Sequence, residues 1–197
     1  TYSFPIEVVE GTVSSFSPNR NCYIRNKVTG TGTLQYNIPY LREYIEGDWS
    51  GFSGRLIANG VNSKGENLLL IQKGKDPFAN CVVELKGKAK MAGWDTNGNY
   101  KIGGLSGDAG TSLCGSSKNT KGFKCTWTVG DADTDEIFQG VINNLPAGLN
   151  SAYSGTVSIV KKGNGDWRLT GNNEYSGTTM ITGGRMIVNG VHSGTGA

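Results

Sequence analysis

Apolar and polar residues alternate along this chain in short runs, each stopped by Gly, Asn or Ser. In GDWRLTG, Trp167 and Leu169 fall on one side of an extended segment, and Asp166, Arg168 and Thr170 on the other. A period of two is that of a β-strand with one face buried. The same grammar runs through GTGTLQYNI, YKIGGLSGDAGTSL, TWTVGDADTDEIFQGVI and GTVSIVKKGNGDWRLTG. No stretch sustains helical periodicity; YLREYIEG, Tyr40–Gly47, is the nearest approach and it is short. The predicted elements are therefore many short strands separated by corners.

One unit occurs twice. WSGFSGRLIANG (Trp49–Gly60) and YSG…GGRMIVNG (Tyr175–Gly190) share aromatic-Ser-Gly and then Gly-Arg-aliphatic-Ile-x-Asn-Gly, with a longer spacer in the second copy. Alternation turns Leu56 and Ala58, and in the second copy Met186 and Val188, inward, and leaves Arg55 and Arg185 facing water. The closing Asn-Gly tolerates positive φ and suits a tight corner. Because these repeats do not read as two equal strands around a hairpin turn, they favour a parallel β-helix over a β-sandwich.

Composition agrees. The 31 glycines among 197 residues far exceed the usual frequency of about 7%. Only 5 prolines occur and no window is simply repetitive, which excludes collagen and low-complexity disorder. No apolar run approaches the ~20 residues of a membrane-spanning helix. The chain begins at Thr1 and shows no signal peptide, as expected of a processed or trimmed segment. The net charge of +3 is scattered, with no run that points to a nucleic-acid partner. Lys86, Lys88 and Lys90 in KGKAK are expected on one strand face, where they attract an anion or deter edge pairing.

Residues 155–190 carry Lys-x-Gly-x-Gly, Leu-Thr-Gly, Asn-x-Tyr-x-Gly-x-Thr and Gly-Gly-x-aliphatic-x-Val in that order. This pattern resembles the autotransporter-associated β-strand repeat of passenger domains in secreted bacterial surface proteins. The fit is looser over TVGDADTDEIFQGVI and the Trp49 segment, and residues 1–47 match little. The resemblance implies an all-β, single-stranded, right-handed parallel β-helix exported to the extracellular or outer-membrane surface of a Gram-negative-type cell. It implies a structural unit without catalysis, serving as stalk, scaffold or adhesion segment. Residues 1–47 are expected to hold a less regular N-terminal cap with the first coil or coils, and 48–197 the repeats. Gly194–Ala197 has no cap-like character, so the chain is expected to continue into further coils or another domain, and an isolated fragment to pair end to end.

Chemistry-bearing residues are few. Asp131, Asp133 and Asp135 alternate in DADTDE, with Glu136 beside them, and extended backbone would put three carboxylates on one face. A bound Ca²⁺ would relieve their repulsion, which makes them the candidate metal ligands; a solvated corner is the plainer reading. DTNGN (Asp95, Asn97, Asn99) is a second oxygen-rich turn, and neither segment has the EF-hand pattern. Parallel β-helices that cleave acidic polysaccharides use Asp with Lys or Arg, so a lyase-like enzyme or its accessory glycan-binding module is the alternative function. Tyr40, Tyr44, Trp49 and Trp94 are candidates to stack on sugars, and capping the first coil is the competing role for the aromatics of the first half, Tyr36 and Phe52 included. His192 is the sole histidine, so a Ser-His-Asp triad would have to be built on it. The four cysteines form no CxxC pair, which argues against zinc. Cys114 and Cys125 flank the polar loop GSSKNTKGFK and are expected to form a disulfide; Cys22 and Cys81 open strand-like runs as small buried residues.

Overall fold

The computed structural model describes residues 3–19, 22–40, 43–64, 67–72, 74–95, 97–116, 121–145 and 155–195. Its strands are too short to be stable alone, and each pairs in parallel with a strand one coil away along the chain. The first coil is β1 (Ile6–Val8), β2 (Val13–Phe16) and β3 (Tyr23–Ile24), one strand for each of three faces. The second is β4 (Val28–Gly30), β5 (Thr33–Ile38) and β6 (Glu43–Ile45); the third is β7 (Gly51–Phe52), β8 (Arg55–Gly60) and β9 (Leu68–Ile71). In the next two coils the first and second faces merge into one long strand. These are β10 (Phe78–Lys86) followed by β11 (Lys90–Gly93), and β12 (Asn97–Gly107) followed by β13 (Ser112–Ser116). The faces then separate again as β14 (Lys124–Val129), β15 (Glu136–Phe138) and β16 (Val141–Asn143). β17 (Thr156–Lys161) and β18 (Asp166–Leu169) lead to β19 (Thr179–Ile181) and β20 (Arg185–Val188), and the third face closes with a parallel bridge from Asn173 to His192. The molecule is a parallel β-helix. Among the described residues no helix is long and apolar enough to cross a membrane.

Parallel register stacks like positions into columns. One inward column runs through Phe16, Tyr36, Ala58, Leu85, Gly107, Phe138, Leu169 and Val188. Large and small residues alternate so that the interior fills: a Cβ on Gly107 would meet the Phe138 ring at 3.0 Å. Burying each aliphatic member contributes about 1.5–3 kcal/mol. The two copies of the repeated unit lie at equivalent places on the second face. Leu56 and Ala58 are fully buried as expected, while Val188 keeps 49% of its surface because no described coil stacks on it. On the third face Ile24, Ile45 and Ile71 form one inward column, and Glu43 heads another through Leu69, Met91, Leu113 and Ile142. Glu43 is buried, and its Oε2 accepts from the Cys22 amide and the Tyr36 hydroxyl. Outside, polar side chains stack too: Asn59 donates to Asn37 at 3.0 Å, and Asn37 to Ser17 at 2.8 Å.

In the Tyr40–Gly47 segment, Glu43–Ile45 is strand β6 with Ile45 packed inside, in keeping with the absence of sustained helical periodicity; Leu41 and Arg42 lie outside the described residues. Two expectations are corrected. Lys86, Lys88 and Lys90 do not share a face: Lys86 ends β10 and pairs with Glu84, Lys88 turns the corner at φ 62°, and Lys90 opens β11. Cys114 and Cys125 are not bridged; all four cysteines are free and buried. Cys114 packs with Tyr44, Leu68, Leu70 and Ala92, whereas Cys125 belongs to the interior cluster. Ser117–Thr120 of the loop between them, like Gly196 and Ala197, lie outside the described residues.

Candidate functional site

The densest charge lies where the first face turns into the second, between β14 and β15, β17 and β18, and β19 and β20. Glycines make this corner. Gly130 and Gly163 have φ of 121° and 69°, and a Cβ on Gly163 would run into the Gly130 carbonyl oxygen, so stacked corners here require glycine. Asp133 also adopts positive φ, 58°, and its Oδ1 accepts from the Asn164 amide at 2.7 Å. Asp135 Oδ1 accepts from the Asp166 amide at 2.7 Å, and Asp131 faces the Lys162 ammonium at 3.4 Å. The three aspartates are thus brought to one corner, where each braces its coil to the next. Among the described residues no group of three or more His, Cys, Asp or Glu is placed to hold a metal ion.

A cation already sits under these carboxylates. Lys161 ends β17 pointing inward and is 1% exposed. Its Nζ donates to the carbonyl oxygens of Lys162, Gly163 and Gly183, the last belonging to the following coil. Burial draws its pKa below the ordinary lysine value, while Asp133, Asp166, Asp131 and Asp135 oppose that shift. Next along the ladder, Asp166 takes Arg185 through two hydrogen bonds, Nε to Oδ1 at 2.8 Å and Nη2 to Oδ2. That hydrogen bonding holds the Asp166 carboxyl below the usual carboxylate range and raises Arg185. Asp135, Glu136, Ile137, Asp166 and Arg168 line an open depression on the outer second face. Of these, Glu136 takes Arg55 at 3.0 Å, and the same guanidinium reaches Ser106 at 3.3 Å and Glu84 at 3.5 Å.

The aromatic candidates divide. Trp49 is inside the tube, edge-on to Phe52 and Phe78, with no face left for a sugar. Tyr44 and Trp94 come together on the outside of the third face, edge to face at 5.2 Å. Tyr23 stacks on Tyr44 at 4.8 Å and 8°, with Arg25 above its ring. Tyr23 is 39% exposed, Trp94 half-buried, and Tyr44 nearly buried between them. Tyr40 lies at the corner after β5. Asn97 and Asn99 are on β12, and the Asn97 side-chain Oδ1 accepts from the Lys124 backbone amide at 3.0 Å. His192 packs edge-on to Tyr175 at 4.5 Å, and its Nε2 is buried with no hydrogen-bond partner. Sequence reading missed Lys161 and Tyr23. The available signal for Lys161 was its place as the first Lys of Lys-x-Gly-x-Gly, on the apolar side of the alternation in TVSIVK; Tyr23 gave none beyond its strand.

A family model described as Passenger-associated-transport-repeat matches residues 159–188, the stretch from within β17 to the end of β20. The match bears out the resemblance read from the sequence: residues 159–188 are similar to a repeat of the autotransporter passenger type, a kind found in exported, surface-associated bacterial proteins. No curated protein matches the chain.

Proposed function

We propose that this chain is a non-catalytic segment of an exported bacterial passenger, a stiff β-helix that projects or supports other parts of the same polypeptide or serves in adhesion at the cell surface. The observation that carries this reading is the unbroken inward column from Phe16 to Val188, which makes every coil a load-bearing neighbour of the next. A solenoid of this kind draws stiffness from nearest-neighbour stacking and needs no cleft. The carboxylates that a glycan lyase would use are engaged in bracing: Asp135 on a backbone amide and Asp166 on Arg185. The test is mechanical. Pulled from its two ends in an optical trap, the chain is expected to lose coils in succession, in one-coil steps that range from the 19 residues between Asp166 and Arg185 to the 31 between Asp135 and Asp166. A single low-force release of the whole length would overturn the reading.

A second reading, a shallow glycan contact, is favoured by one observation, the aligned Tyr23, Tyr44 and Trp94 rings on the outer third face. Aromatic faces suit the apolar face of a sugar ring. Binding to a glycan panel that disappears in Tyr23→Ala supports it; binding unchanged by that substitution removes it.

A further inference from the structure

We infer that the glycine corner at Gly130, Gly163 and Gly183 is a cation site occupied by the chain's own Lys161 ammonium, and that Ca²⁺ takes its place when that ammonium is removed. An ammonium has three N–H donors, and Lys161 Nζ finds three carbonyl acceptors, on Lys162, Gly163 and Gly183. A neutral amine has only two donors and would turn its lone pair on a carbonyl oxygen. The acceptors span two coils, so the ammonium ties the corner of one to the corner of the next. The space is tight, since a Cβ on Gly130 would come within 3.1 Å of Nζ. Asp133, Asp166, Asp131 and Asp135 all act electrostatically on this group. Two of them carry their own counter-charges, Asp131 from Lys162 and Asp166 from Arg185. Asp133 and Asp135 each give one oxygen to a backbone amide of the next coil and keep lone pairs over.

Deleting the ammonium leaves the carbonyl oxygens of Lys162, Gly163 and Gly183 without their donor, at a corner where Asp131 and Asp166 keep their own counter-charges and Asp133 and Asp135 are held by backbone amides alone. Carbonyl and carboxylate oxygens are hard donors, and a flexible corner of such groups suits Ca²⁺, which accepts 6–8 oxygens in irregular geometry, better than a metal that wants nitrogen or sulfur. The aspartates read from the sequence as metal ligands are, on this view, the outer wall of a site that the wild-type chain fills internally. Lys161 is a positioning residue for the stacking of the last coils.

The experiment compares the wild-type chain with Lys161→Met and Lys161→Gln by thermal melting. Each is melted in EDTA, in millimolar CaCl₂, and in choline chloride of equal ionic strength. The wild type is expected to melt alike in all three. The variants are expected to melt about 5–10 °C lower in EDTA and to regain most of that loss in CaCl₂ but not in choline chloride. Calorimetry should then count one Ca²⁺ per variant chain. Variants that melt like the wild type in EDTA overturn the inference. So does Ca²⁺ that raises wild type and variants equally, or failure of both variants to respond to Ca²⁺.

Discussion

Replacing Trp167 by Phe removes the indole N–H that reaches back across the tube to the Leu105 carbonyl, a hydrogen bond of 2.9 Å between residues 62 apart in the chain. Trp167 is 2% exposed, so water cannot take over the bond. Losing it costs about 1–2 kcal/mol, and the volume difference between indole and phenyl adds about 1–3 kcal/mol as a partly collapsed cavity. Trp49→Phe removes the same atoms from an equally buried site. There, however, the Trp49 Nε1 is buried with no hydrogen-bond partner. Deleting an unpaired buried donor returns about 1–3 kcal/mol, which offsets the cavity and leaves Trp49→Phe near neutral. The cavity cost is common to both, so the expected difference between the two variants is about 2–5 kcal/mol. Urea unfolding followed by far-ultraviolet circular dichroism measures it from the shift in midpoint at a common slope. If both substitutions cost the same to within about 0.5 kcal/mol, the indole bond to Leu105 is not stabilising the coil stack and the reasoning fails.

Three shorter predictions follow from the same geometry. Burial pushes the thiols of all four cysteines up, Cys114 to about 12, so a thiol reagent at neutral pH should leave the native chain unlabelled and count four thiols after unfolding; two would mean that Cys114 and Cys125 are bridged after all. The Arg185 hydrogen bonds lower the folded pKa of Asp166, so its contribution to stability is present above the ordinary carboxylate value and is lost as pH falls through the lowered one. Arg185→Met should raise the Asp166 pKa towards the ordinary value in an NMR titration, and an unmoved titration would contradict the pairing. Leu169→Ala should cost about 2–5 kcal/mol in urea, while Val188→Ala, one coil on in the same column but half exposed, should cost well under half as much. Equal costs would show that a further layer buries Val188.

Much of the architecture was legible in the residues themselves. Alternation alone placed Leu56, Ala58, Trp167 and Leu169 inside, because a strand has a period of two and a coil has only one apolar side to bury. The repeated Arg-aliphatic-Ile-x-Asn-Gly unit marked equivalent places on one face, as the register confirms. The coil period was harder to read, since facing residues are 31 apart at Asp135 and Asp166 but 19 apart at Asp166 and Arg185, and corner loops absorb the difference. What alternation could not decide is any feature that depends on the neighbouring coil. Leu68 and Leu70 are buried although they point away from the interior, and Trp49 hides its ring where an exposed platform was expected. KGKAK reads as one face only until the chain turns at Lys88. DADTDE reads as a bare acidic row until β17 and β18 bring Lys161 beneath it and the Asn164 and Asp166 amides against it. Local sequence determines which way a side chain leaves its own strand; the coil stacked above or below determines what it meets, and charge pairing, burial and cation binding all depend on that meeting.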